Sequence, residues 1–227
     1  MLEISKLDAG YGKLHVLTDI NMLVKPNEII AVIGPNGAGK STVIKSIFNL
    51  TNITKGKIIY NKENITKLKT HQLIKLGICY VNQGRTVFDT LTVQENLEIG
   101  NNTLNIERVF KKFPVLKKKR NKLARTLSGG QRQQLALSRA LMQNPKVLLL
   151  DEPSLGLSPI LQKQLFQTIE ELRDEGIAIL VVEQNAKKAI QIADRTYLLE
   201  DGKVALTGGK TILKHKKIKS IYLGGRY

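Results

Sequence analysis

Four unbroken apolar runs punctuate the chain: Glu28 to Gly34, Ile78 to Val81, Val147 to Leu150 and Ile177 to Val182. Each is too short for a buried helix and lacks alternation, which predicts strands covered on both faces. The stretches between them carry helical spacing. Val43, Ile44, Ile47 and Leu50 share one face of a helix predicted to start at Lys40, and a second helix is predicted from Pro159 to Asp174. Buried strands alternating with helices imply an α/β fold built on a mainly parallel sheet. Residues 2 to 25 alternate more loosely around a turn at Gly10-Tyr11-Gly12, predicting short N-terminal strands. Residues from about 86 to 127 are polar, lysine-rich and helical in pattern. They read as a helical subdomain inserted into a core formed by about 1–85 and 128–227. From Lys203 a strand and a short helix close the chain. Neither a repeat nor a linker divides it, so residues 1–227 are expected to form a single domain.

No apolar run approaches the ~18 residues of a membrane span, and Met1 to Lys6 lacks a signal-peptide pattern. The chain is therefore expected in the cytoplasm, reaching a membrane only from its surface. Cys79, the single cysteine, lies in an apolar run and is expected to be buried. The net charge is +17, from 36 Lys+Arg against 19 Asp+Glu. Nucleic acid, an anionic membrane surface, or a lysine-favouring composition without function would each account for it. With 27 lysines and 9 arginines, the excess lacks the arginine bias of nucleic-acid readers, which argues against a nucleic-acid partner.

Chemistry enters at the end of the first apolar run. Gly34, Pro35, Asn36, Gly37, Ala38, Gly39, Lys40 and Ser41 spell G-x-x-x-x-G-K-S between a predicted strand and a predicted helix. Glycines let backbone N–H groups curl around a phosphate, and the helix start adds its positive end. Lys40 can reach the outer phosphates, Ser41 can hold Mg²⁺, and Thr42 completes the phosphate-binding set. The run at Val147 ends in Asp151 and Glu152, which places two carboxylates at the edge where such sheets bind ligands. Asp151 is suited to Mg²⁺ and Glu152 to polarising an attacking water. Leu127-Ser128-Gly129-Gly130-Gln131 precedes a helical stretch from Gln133 to Leu141. Ser128 is a good N-cap, and exposed N–H groups there could equally hold a phosphate.

The order and spacing of these motifs resemble the ABC ATPases, whose signature is this Leu-Ser-Gly-Gly-Gln. The resemblance implies a P-loop fold of ABC type, with an N-terminal antiparallel β subdomain and a helical insert. It implies ATP and Mg²⁺ as ligands. It also implies a head-to-tail dimer, homo- or heteromeric, in which Ser128, Gly129, Gly130 and Gln131 of one subunit contact ATP on the phosphate loop of the other. By the same resemblance Tyr11 stacks on adenine, while Gln83 touches Mg²⁺ and water and senses the transporter. Ser158 stands where many members place aspartate. Gln184 occupies the switch position, usually histidine; its amide can bond a γ-phosphate but exchanges no proton. The implied assembly adds transmembrane permease subunits, an external binding protein, and a peripheral place on the cytoplasmic face of the membrane.

Asp151 to Pro159, Val182 to Asn185, Gly84 to Phe88, Ala193 to Gly202 and Tyr222 to Gly225 resemble the second ATPase subunit of branched-chain amino acid importers. ATPases of urea and short-chain amide importers share much of the Gln83 to Phe88 region. A non-transport ABC ATPase working on nucleic acid or ribosomes is the reading from another class.

Overall fold

The computed structural model describes residues 1–84, 87–99 and 106–222. Arg85, Thr86 and Leu223 to Gly225, part of the importer-like segments, lie outside them. Two sheets organise the chain. The first is antiparallel in the order β2-β1-β4-β5, from β1 (Leu2–Tyr11), β2 (Leu14–Val24), β4 (Asn52–Tyr60) and β5 (Glu63–Asn64). The second has the order β10-β9-β3-β8-β7-β6. It is built from β3 (Ile29–Ile33), β6 (Ile78–Val81), β7 (Val147–Asp151), β8 (Ala178–Val182), β9 (Arg195–Glu200) and β10 (Lys203–Gly208). The β9–β3–β8–β7–β6 pairings are all parallel; only β10 runs antiparallel, against β9.

Burial on both faces explains the unbroken apolar runs. Along β3, Ile30 and Val32 face the antiparallel sheet and α1 (Lys40–Ile47), while Ile29, Ala31 and Ile33 face the helical side. That side holds α6 (Gly129–Leu141), α7 (Pro159–Asp174) and α8 (Ala186–Ile192). α2 (Thr70–Lys75) leads into β6, and α9 (Lys216–Tyr222) ends the described chain. Among the described residues no helix is long and apolar enough to cross a membrane.

Two expectations need correction. The N-terminal strands are long, ten and eleven residues. Irregular register, with Lys6 and Asp19 at positive φ, interrupts the alternation that would have revealed their length. Leu50 is not on the buried face of α1. Asn49 turns left-handed (φ 55°) just past the helix end, and Leu50 is left 48 % exposed. Cys79 is buried in β6 as expected, and burial pushes its thiol up to about 12.

Between β6 and α6 the chain forms α3 (Val93–Glu98), α4 (Ile106–Lys112) and α5 (Pro114–Lys118). Helices this short draw little stability from their own hydrogen bonds. They depend on packing of Val93, Leu97, Phe110 and Leu116 into the core that includes Leu135 of α6. Thr92 and Glu95 form a capping box on α3. Asn96 is fully buried: it accepts from the Phe88 N–H at 2.7 Å and donates to the carbonyls of Phe88, Leu91 and Thr92. Asn96→Ala strands those groups, and equilibrium urea unfolding should show a loss of roughly 2–4 kcal/mol. A loss below ~0.5 kcal/mol, the scale of an ordinary surface change, would show that the loop closes without Asn96.

Candidate functional site

The site lies at the C-terminal ends of the parallel strands, where β3 passes into α1. Gly37 and Gly39 adopt positive φ (81° and 94°). A Cβ on Gly39 would stand 2.7 Å from Leu17 Cδ2 in β2, so the loop fits against the N-terminal sheet only with glycine there. Nothing lies within 4 Å of a Cβ on Gly37, which leaves that side open for an approaching ligand. Lys40 is buried beneath the loop. Its Nζ donates to the carbonyls of Gly34 at 3.1 Å and Pro35 at 3.0 Å. Burial lowers its pKa from the ordinary value, while the Glu152 and Asp151 carboxylates pull it back up.

Ser41, one residue on, donates its hydroxyl to Asp151 Oδ1 at 2.7 Å, joining the start of α1 to the end of β7. The other oxygen of Asp151 accepts from the Tyr80 hydroxyl at 3.1 Å. A hydroxyl and a carboxylate held together offer the hard oxygen donors that Mg²⁺ prefers. Among the described residues no cluster of three His, Cys, Asp or Glu could hold a metal, so a cation here would need oxygens from its phosphate ligand as well.

Glu152 follows with φ 47°, a conformation that costs a β-carbon residue about 1–2 kcal/mol. Its N–H donates to Val182 O at 2.9 Å, and the turn aims its carboxylate at two amides. Gln83 Nε2 donates to it at 2.8 Å, and Gln184 Nε2 to both of its oxygens at 3.1 Å. Residues 69 and 32 positions away in sequence thus converge on one group, because β6, β7 and β8 are neighbours.

Sequence reasoning missed two side chains. One is Tyr80. The other is Glu183, whose buried carboxylate accepts from both the N–H and the hydroxyl of Ser154 at 2.9 Å. Burial raises its pKa, against the opposing pull of the Ser154 bonds. A charged residue ending an apolar run was the available signal for Glu183. Ser158, 3.5 Å from the Leu161 N–H, caps α7, a task aspartate also performs.

The remaining expected residues are carried by other elements. Tyr11 ends β1, 39 % exposed, on the hairpin whose second strand touches Gly39. Ser128 caps α6, accepting from the Gln131 N–H at 3.4 Å while Gln131 Oε1 returns to the Ser128 N–H at 3.1 Å. Gly130 packs so tightly that a Cβ would meet Leu161 Cδ1 at 2.6 Å, whereas Gly129 faces open space. Gly129 shares a cleft of about 490 Å³ with Gln83, Arg132, Gln133, Glu152 and Leu155, and none of Gly34 to Thr42 lines it.

Comparison with known proteins gives this geometry its family. Residues 17–155 match the ABC transporter family model. Over 233 residues the chain is 42 % identical to the high-affinity branched-chain amino acid transport ATP-binding protein BraG of Pseudomonas aeruginosa, covering 99 % of this chain and 100 % of the relative. It is 44 % identical to the probable branched-chain amino acid transport ATP-binding protein LivF of Archaeoglobus fulgidus, with 99 % of each covered. Among solved structures, an ATP-binding cassette of an ABC transporter in its ADP conformation superposes with a TM-score of 0.88 at 27 % identity, covering 99 % of both chains. A second cassette, solved as a dimer bound to ADP and Pi, superposes with a TM-score of 0.80 at 26 % identity over 92 % of this chain and 99 % of its own. With the family model spanning more than half of the sequence and relatives matching it end to end, the chain belongs to the ABC transporter family and is one of its ATP-hydrolysing subunits.

Proposed function

We propose that the chain supplies the ATPase stroke of an importer for branched-chain amino acids, working in a pair of cassettes beneath transmembrane permease subunits. The observation that carries the ATPase mechanism is the convergence of Gln83 and Gln184 on Glu152, beside the Ser41–Asp151 contact. Gly34 to Thr42 wrap the phosphates, and Lys40 leaves its two loop carbonyls to bond the outer ones. Ser41 and Asp151, with Gln83 beside them, would hold Mg²⁺, which when bound neutralises phosphate charge. Glu152 orients a water and receives its proton as the oxygen attacks the γ-phosphorus. The bond to the β,γ-bridging oxygen breaks, giving ADP and phosphate. Gln184 bonds the γ-phosphate through its amide. Gly129 faces open space, which supports supply of Ser128 to Gln131 to a neighbouring subunit's ATP.

The helical segment of about 86–127 is the part we assign to transmission. Where Ile99 of this segment meets the core lies a groove of about 580 Å³, lined otherwise by core residues that include Phe48, Ile74, Tyr80 and Arg139, with Lys75 also on its border. Its apolar lining and basic border suit a permease loop carrying apolar side chains and a carboxylate. A segment seated there touches both the core, at β6, and the end of α3, so it is sensitive to their relative movement. Assignment of branched-chain amino acids rests on the two whole-length relatives.

Two measurements separate the parts of this reading. Purified chain should release phosphate from ATP, and absence of release under all metal conditions overturns the mechanism. Cells lacking the chain should lose ATP-driven uptake of radiolabelled leucine, isoleucine and valine and regain it when the chain is restored. Undiminished uptake of all three overturns the substrate assignment alone.

A further inference from the structure

We infer that Tyr80 is a positioning residue that links the permease-facing groove to the Asp151 carboxylate, by a route separate from Gln83. The inference rests on the ATPase reading above and adds a residue to it. Tyr80 sits on β6, the edge strand of the parallel sheet, opposite Leu149 of β7. Its hydroxyl donates to Asp151 Oδ2, the oxygen that Ser41 leaves unused. One carboxylate is thus gripped on one oxygen from α1 and on the other from the sheet edge, which fixes its rotation.

The ring end of Tyr80 faces elsewhere. It packs against Phe48 with centroids 5.5 Å apart and planes tilted by 55°, and both rings line the groove that also holds Ile74 and Ile99. Phe48 closes α1, the helix that begins with Lys40 and Ser41. A segment filling the groove therefore bears on an aromatic pair with two outlets: one through α1 to Ser41, the other through the Tyr80 hydroxyl to Asp151. Gln83 reaches Glu152, not Asp151. The two carboxylates of the site thus have separate hydrogen-bonded connections, Glu152 to Gln83 and Asp151 to Tyr80.

Mn²⁺ binding, followed by electron paramagnetic resonance on the intact chain saturated with ADP, tests this without turnover. Tyr80→Phe keeps the ring on Phe48 and removes only the hydroxyl. Loss of the hydrogen bond that orients a metal-holding carboxylate should weaken Mn²⁺ binding roughly tenfold, with metal-free ADP affinity left near that of the parent. Unchanged Mn²⁺ affinity overturns the positioning role. Ile74→Trp, which crowds the groove, should shift Mn²⁺ affinity in the parent chain and shift it clearly less in the Y80F background, where only the route through α1 remains. An equal shift in both backgrounds, or none in the parent, overturns the link. A parent chain that binds no ADP at all would instead overturn the site assignment on which the inference stands.

Discussion

Glu152→Gln should lower ATP turnover by about 10²–10⁴-fold while leaving ATP binding intact, because it removes a base and keeps the shape. Glu152 ends the β7 strand region in a left-handed turn, and its carboxylate accepts from two glutamine amides. Glutamine in its place offers one oxygen and an NH₂ group with two N–H donors. Rotation of the Gln83 amide by half a turn would pair it with one of those donors, so the fold should tolerate the change. With hydrolysis blocked, ATP would stay bound and the two-cassette state should accumulate in size-exclusion chromatography. Turnover within about threefold of the parent, far short of a lost general base, would remove Glu152 from the mechanism. Should ATP-loaded variant remain monomeric even beside its natural partner subunit, the shared-site arrangement would fail instead.

The second large effect should come from Lys40→Ala, read as affinity rather than rate. The Lys40 ammonium already sits under the loop, bonded to Gly34 and Pro35 carbonyls. Burial lowers its pKa from the ordinary value, and the Glu152 and Asp151 carboxylates oppose that shift. Charge-assisted bonds to phosphate oxygens are worth about 1.5–3 kcal/mol, so the ATP dissociation constant should rise roughly tenfold to a hundredfold in isothermal titration. An affinity within about twofold of the parent would be too small for a lost charged bond and would contradict phosphate binding by this loop.

Much of the architecture was visible in the sequence because parallel strands buried on both faces leave unbroken apolar runs. β3, β6, β7 and β8 could be located from that signal alone, and α7 begins and ends at Pro159 and Asp174 as its spacing predicts. β4 gave no comparable signal, since most of its residues are exposed, and β1 and β2 hid their length behind irregular register. Phosphate-loop residues were legible because backbone geometry demands glycine at Gly39. Contacts made across strands were not. Tyr80 and Glu183 each gain their meaning from a neighbour brought close by sheet order, Asp151 in one case and Ser154 in the other.

The buried bond pair between Glu183 and Ser154 has a mechanical consequence. Separating them would leave a carboxylate stranded in a dry interior, which costs several kcal/mol, so the turn after β7 and the turn after β8 are obliged to travel as one piece. A neighbour pushing on Ser154 to Ser158 would therefore drag Gln184 along, even when no nucleotide bridges the two turns. The brace lies wholly within this chain, so a push on one turn reaches the other without help from any residue outside it.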